Sequence, residues 1–142
     1  MGIQPYLFFE GRCEEAIELY KGALGAEVEM LMRMKESPEP HPPGALPPGS
    51  ENKVMHAALR IGDATVLLSD GRCQGRAPFE GFSLALGARD DAEAERWFAA
   101  LSEGGTVRQP LITTFFSSRF GMLADRFGVP WMILVTPADA QA

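Results

Sequence analysis

Cysteine is scarce in this chain: Cys13 and Cys73 are the only two in 142 residues, and they form no CxxC pair. That excludes a disulfide scaffold and a cysteine-built zinc site, and leaves idle thiols in a reducing cytoplasm as the expectation. Histidine is equally rare, with only His41 and His56. No apolar run approaches the roughly 18 residues that cross a bilayer, so no membrane partner is expected. Cationic residues are outnumbered, 13 Lys and Arg against 19 Asp and Glu. A net charge of -6 lacks the basic face that displaces counterions from phosphate, so no nucleic-acid partner is expected. Such a charge either attracts a cationic small molecule or serves only solubility. The opening Met1-Gly2-Ile3-Gln4-Pro5 shows no basic stretch ahead of an apolar core, so no secretory signal is read and a cytoplasmic location is expected.

What is present is an ordinary core-forming composition, 46% hydrophobic beside 23% charged residues, at the length of one domain. Pro5-Tyr6-Leu7-Phe8-Phe9 predicts a short aromatic strand closed by Gly11. Cys13, Ala16, Ile17, Tyr20 and Leu24 recur at helical spacing and predict a helix with one apolar face. Glu14 and Glu15 near its start and Lys21 near its end suit the macrodipole, and Gly25 is placed to stop it. A strand is predicted from Glu27 to Met34, with Val28, Met30 and Met32 on one face. The stretch 35–53 holds Pro38, Pro40, Pro42, Pro43, Pro47 and Pro48, which neither helix nor central strand accommodates. It predicts a long loop, a lid, an interface arm or a disordered segment, with His41 in solvent. Val54 to Ile61 and Ala64 to Ser69 predict two strands joined at Gly62-Asp63.

The second half restarts the same order. Phe82 to Leu86 predicts a strand, and Asp90 with Glu93 three residues later forms a capping-box pattern. Ala94, Trp97, Phe98 and Leu101 give the following helix its apolar face, with Gly104-Gly105 at its end. Strands are predicted at Thr106 to Ile112, Phe120 to Ala124 and Pro130 to Thr136. A shift of 77 residues lays Leu7 on Leu84 and Tyr20 on Trp97, and in the later part a shift of 66 lays Arg60-Ile61-Gly62 on Arg126-Phe127-Gly128. Two βαβββ modules, 1–75 and 76–142, in one α+β domain are the simplest account.

Pro5-Tyr6-Leu7-Phe8-Phe9 with Glu15-Ala16 and Tyr20, then His56-Ala57, Arg60-Ile61, Ser69-Asp70, Phe120-Gly121 and the run Asp125 to Met132, resembles the PhnB-like branch of the vicinal-oxygen-chelate superfamily. That superfamily includes glyoxalase I, extradiol dioxygenases, fosfomycin-modifying enzymes and bleomycin-binding proteins. The resemblance implies a glyoxalase/dioxygenase-like fold with a cupped mixed sheet around a small organic ligand, and a homodimer. In the metal-dependent members, His, Gln or Glu from the first and last strand of each module hold a divalent ion. On this chain those positions fall near Gln4, Val66 or Leu68, Gly81 (or Phe82), and Met132, of which only Gln4 carries such a donor. A stable site needs three or more converging donors, so no metal and no cofactor are expected. The branch is often labelled a demethylubiquinone methyltransferase, yet no glycine-rich turn follows an opening strand here.

Without a metal, His56 is the candidate catalytic group, as acid, base or ligand-orienting residue, or else a structural histidine beside the sheet. Tyr6 and Phe8 share a face opposite Leu7 and Phe9 and form a pocket floor with Ser83 and Ala85, or a second core. Phe115, Phe116 and Phe120 either cover the cup or pack at a dimer interface. The expected ligand-binding set is Gln4, Tyr6, Phe8, Leu68, Ser83, Phe116 and Met132. Ser69-Asp70 and Asp125 read as turn chemistry. The leading expectation is a ligand-binding protein without metal-dependent turnover. Its rivals are a metal-dependent lyase, isomerase or transferase of the glyoxalase kind, and an acidic protein that sequesters a cationic drug.

Overall fold

The computed structural model describes residues 2–39, 41–42 and 44–136. Two compact units divide between Ala77 and Pro78, and each is an α-helix on a four-stranded mixed sheet. In the first unit the order is β1 (Tyr6–Phe8), α1 (Cys13–Leu24), β2 (Glu27–Arg33), β3 (Val54–Ile61) and β4 (Ala64–Ser69). In the second it is β5 (Leu84–Ala88), α2 (Asp91–Ser102), β6 (Thr106–Ile112), β7 (Phe120–Ala124) and β8 (Pro130–Val135). The sheets run β1-β4-β3-β2 and β5-β8-β7-β6, so each joins its first and last strands in parallel and turns the rest antiparallel.

Helical periodicity decides what α1 covers. Cys13, Ala16, Ile17 and Tyr20 are buried with Leu7, Phe9, Ala57, Leu59, Val66 and Leu68 of the sheet. Burying side chains such as Ile17 and Tyr20 stabilises the unit by about 2–3 kcal/mol each. Gly25 ends the helix at φ 67, returning its N–H to the carbonyls of Lys21 and Tyr20. The Cys13 thiol is pushed up by burial and by the neighbouring carboxylates of Asp70 and Glu14, which keeps it protonated and unreactive.

The edge strands show where alternation fails. In β2 a bulge between Val28 and Met30 sets Val28 opposite Leu59 but Met30 opposite Ala58. The expected single face for Val28, Met30 and Met32 is therefore broken, because the extra residue turns Val28 to the other side while Met30 and Met32 stay together. Pro110 interrupts β6 between its pairings at Gln109 and Ile112. A proline is tolerated there because β6 is an outer strand. The proline-rich stretch between β2 and β3 carries short 3-10 turns at Met34–Glu36 and Ser50–Asn52. His41 within it is exposed.

At α2 the Asp90 carboxylate accepts the Glu93 N–H at 2.8 Å, the expected cap. The Glu93 carboxylate reaches one residue further back than a capping box requires, accepting the Arg89 N–H at 3.0 Å and the Arg89 guanidinium at 3.0 Å. Burial pushes the Glu93 carboxyl up, but the Arg89 N–H and guanidinium and the nearby Arg96 outweigh it, leaving it below its ordinary range. A carboxyl lowered in the folded state adds stability above its ordinary value of 4.5 and loses it as pH falls through the folded value. Glu93→Gln is expected to flatten the acid limb of the unfolding free energy below that value; urea melts across pH 3 to 6 that superimpose with the parent's in slope would refute this.

Candidate functional site

The face of the first sheet turned away from α1 is assembled from two rows that cross all four strands. One is Tyr6, Leu67, Ala58 and Met30, and it follows from the pairings Tyr6↔Leu67, Ala58↔Leu67 and Met30↔Ala58. The other is Phe8, Ser69, His56 and Met32, from Phe8↔Ser69 and Met32↔His56, with His56 one position beyond the Ala57↔Leu68 pair. Two aromatic rings stand at one end of these rows, two thioethers at the other, and Ser69 and Ala58 keep the middle low. The result is a trough with one flat wall and one polarizable, adaptable wall.

Polar groups in the trough are few and joined. The Tyr6 Oη lies 2.7 Å from His56 Nδ1, with ring centroids 5.5 Å apart. Tyr6 and Phe8 stack at 4.7 Å and 16°. Both rings remain open, at 38% and 49% exposure. Burial raises the Tyr6 phenol above its ordinary range, partly countered by the adjoining Ser69 hydroxyl, so it stays a protonated donor. Ser69 is itself fixed by the Gly71 N–H, which donates to its Oγ at 2.9 Å. Beyond the rows, the Arg60–Glu27 ion pair and the hydrogen bond from Thr65 to Glu29 occupy the next positions.

Asp70 holds these strands in register. Its carboxylate accepts the N–H groups of Gly11 at 2.9 Å, Cys13 at 2.8 Å and Val54 at 2.7 Å. One side chain therefore pins the chain after β1, the first residue of α1 and the start of β3 to the end of β4. Asp125 acts similarly after β7, accepting the Phe127 and Val129 N–H groups at 2.9 and 3.1 Å and the Trp131 indole at 2.9 Å.

The residues singled out from sequence divide between the two units. Tyr6, Phe8 and His56 come together in the trough, and Gln4 is exposed just before β1. Leu68 does not join them: it pairs with Leu7 on the helix-covered side and is fully buried, so Leu67 takes the place expected for it. The cause is period two, since a one-residue offset moves a side chain through the sheet. In the second unit Met132 lies between Ala85 and Met122 on the less buried side of β8, and Ser83 is half-buried ahead of β5. Phe116 sits edge-on to both Phe115 and Phe120, at centroid distances of 5.1 and 5.2 Å. Leu67, Ser69, Met30 and Met32 were missed as trough residues; alternation from His56 and Tyr6 identifies them only once strand order is known.

The positions that carry metal ligands in the superfamily do not fit a divalent ion here. Val66 and Leu68 are buried apolar residues under α1, Gly81 has no side chain, Phe82 has no donor, and Met132 offers one thioether. Gln4 alone is left, short of the three or four N, O or S donors a site requires. Among the described residues no three His, Cys, Asp or Glu side chains gather in a metal-binding group.

Comparison with known proteins gives the family. The model of the family described as 3-demethylubiquinone-9 3-methyltransferase matches residues 1–134. Protein YjdN of Escherichia coli is 37% identical over 142 residues, covering 95% of each chain. The crystal structure of protein PA1353 from Pseudomonas aeruginosa superposes with a TM-score of 0.82 at 39% identity, over 96% of this chain and 98% of that one. The PhnB protein from Bacillus cereus does so with a TM-score of 0.77 at 25% identity, over 96% and 100%. With the βαβββ order repeated in both units and relatives matched end to end, the chain belongs to this PhnB-like family of the vicinal-oxygen-chelate superfamily.

Proposed function

We propose that the protein binds a small organic ligand in the trough of its first sheet, without the metal centre of its superfamily's catalytic members. The observation that carries this reading is the Tyr6–His56 hydrogen bond beside the stacked Tyr6–Phe8 pair, on a sheet face otherwise lined by Leu67, Ala58, Met30 and Met32. An apolar wall with a few fixed polar groups is the usual composition of a ligand site. A methyltransferase reading gains no support from the fold. Each sheet has a single parallel strand pair, and the turn into α1 is Glu10-Gly11-Arg12, which lacks the repeated glycines of a dinucleotide cradle. Sequestration of a cationic drug is disfavoured because the two trough rows contain no carboxylate. The same reading keeps the protein a cytoplasmic homodimer, as the family resemblance implies, and the exposed rings of Phe115 and Phe116 are suited to a subunit contact.

The direct test is titration with 2-naphthoate, followed by backbone amide shifts. Shifts are expected at Tyr6 to Phe8, Leu67 to Ser69 and His56. The double variant Tyr6→Ser/Phe8→Ser is expected to weaken binding about tenfold, since each aromatic contact is worth about 0.5–1.5 kcal/mol beyond its area. Its fold should persist because both rings are exposed. Shifts confined to other surfaces would refute the site. Metal analysis of protein purified without an affinity tag is expected to find far less than one ion per chain, and a stoichiometric divalent ion would restore the enzyme reading.

A further inference from the structure

We infer that the trough selects planar ligands bearing a hydrogen-bond acceptor, an aryl carboxylate or aryl ketone, through the Nε2–H of His56, whose Nδ1 is occupied by Tyr6. The inference rests on the trough being the ligand site and names what that site takes.

The tautomer follows from the direction of one hydrogen bond, between Tyr6 Oη and His56 Nδ1 at 2.7 Å. A phenol O–H is a stronger donor than acceptor, and a bare imidazole nitrogen is the stronger acceptor of the two. The Tyr6 O–H is therefore assigned as donor and His56 Nδ1 as acceptor. A neutral imidazole that accepts at Nδ1 carries its proton on Nε2. Among the described residues Nε2 has no partner, so the ring presents one donor to whatever lies in the trough.

Shape comes from the walls. The Tyr6 and Phe8 rings are nearly parallel and about half open, so a third ring extends the stack at the separation they already adopt. Ala58 has no bulk to obstruct a ring laid beside this stack, and Met30 and Met32 lie on the far strand with flexible thioethers. A flat ring on this shelf with an acceptor at its edge satisfies both features at once. A ligand offering a donor or ammonium group meets the Nε2–H with another donor and loses that bond.

Four compounds of one ring system separate the possibilities: 2-naphthoate, 2-acetylnaphthalene, 2-ethylnaphthalene and 2-(aminomethyl)naphthalene. The first two are expected to bind about tenfold or more tightly than the last two, the size of one hydrogen bond made in a partly dry site. His56→Ala should erase that preference while keeping weak binding of all four. Tyr6→Phe retains the ring and removes the hydroxyl, so it should reduce the preference by freeing the tautomer. On the unmodified protein, long-range proton–nitrogen NMR of the His56 ring is expected to show the Nε2–H tautomer, with a mixture in Tyr6→Phe. A Nδ1–H tautomer in the unmodified protein overturns the inference, as does equal affinity for all four compounds, which leaves the trough as ligand site intact. Failure of all four to bind overturns the inference and the site together.

Discussion

Replacing Asp70 with alanine is expected to destabilise the protein by about 3–5 kcal/mol, because it orphans three backbone donors at once and each buried unsatisfied group costs about 1–3 kcal/mol. Domains of this size have about 5–15 kcal/mol in total, so much of the population would unfold on mild heating. The carboxylate is nearly inaccessible, at 1% exposure, and the Cys13 and Val54 N–H groups it receives are buried, so water replaces it poorly. Asp70→Asn separates charge from geometry. Its oxygen still serves Gly11 and Cys13, but its amide faces the Val54 N–H, donor against donor. About half the alanine effect is expected, since one of the three bonds fails and the others lose the charge assistance that makes them about twice as strong. Urea unfolding followed by circular dichroism measures both, and a loss below about 1 kcal/mol for the alanine variant would show that the three donors find other partners. The effect reaches the trough: Val54 begins the strand of His56, Gly11 follows the strand of Tyr6 and Phe8, and Asp70 follows Ser69. One residue outside the binding face thus fixes the three strands that build it.

Local chemistry made most of the elements legible. The strands read at Val54 to Ile61, Ala64 to Ser69, Thr106 to Ile112 and Phe120 to Ala124 have the limits observed for β3, β4, β6 and β7, and three- and four-residue spacing marks the buried face of α1. Asp125 and Ser69-Asp70 read as turn chemistry, and their hydrogen bonds to the Phe127, Val129 and Gly71 N–H groups bear that out. β5 starts two residues later than alternation suggested, at Leu84, leaving Phe82 and Ser83 ahead of the sheet. The trough was only half legible, for two physical reasons. The parallel pairing of β1 with β4 sets side by side residues about 60 positions apart, and no local pattern announces it. The bulge in β2 shifts phase between Val28 and Met30, so counting by twos along that strand cannot tell which residues accompany His56. Leu68 failed for the simpler reason that a metal-ligand position carried over by resemblance was one residue out of phase with Tyr6. His56 stands out because histidine is rare, and Tyr6 because it is an aromatic on the open face of its strand. That the two meet has no local signal, because Tyr6 reaches His56 diagonally across an intervening strand.

In the second unit, Asp125→Ala is expected to cost about 2–4 kcal/mol, as it removes the acceptor of two backbone N–H groups and of the Trp131 indole. Asp125→Asn again divides the effect. With its oxygen kept toward Phe127 and Val129, its amide opposes the indole N–H, so most of the loss should appear at Trp131, which is 2% exposed. A shift in Trp131 fluorescence with a smaller fall in stability is the expected signature, and an unchanged emission spectrum would mean the indole N–H is held elsewhere. Trp97 must be replaced by Phe in both proteins so that a single indole reports. Trp131 faces the buried side of β8, whereas the trough belongs wholly to the first unit. At temperatures where Asp125→Asn remains folded, its affinity for 2-naphthoate should therefore match that of the parent. A clear drop would put part of the ligand on the second unit, where Ser83, Phe116 and Met132 are the residues to test next, and would show that the first sheet holds only part of the site.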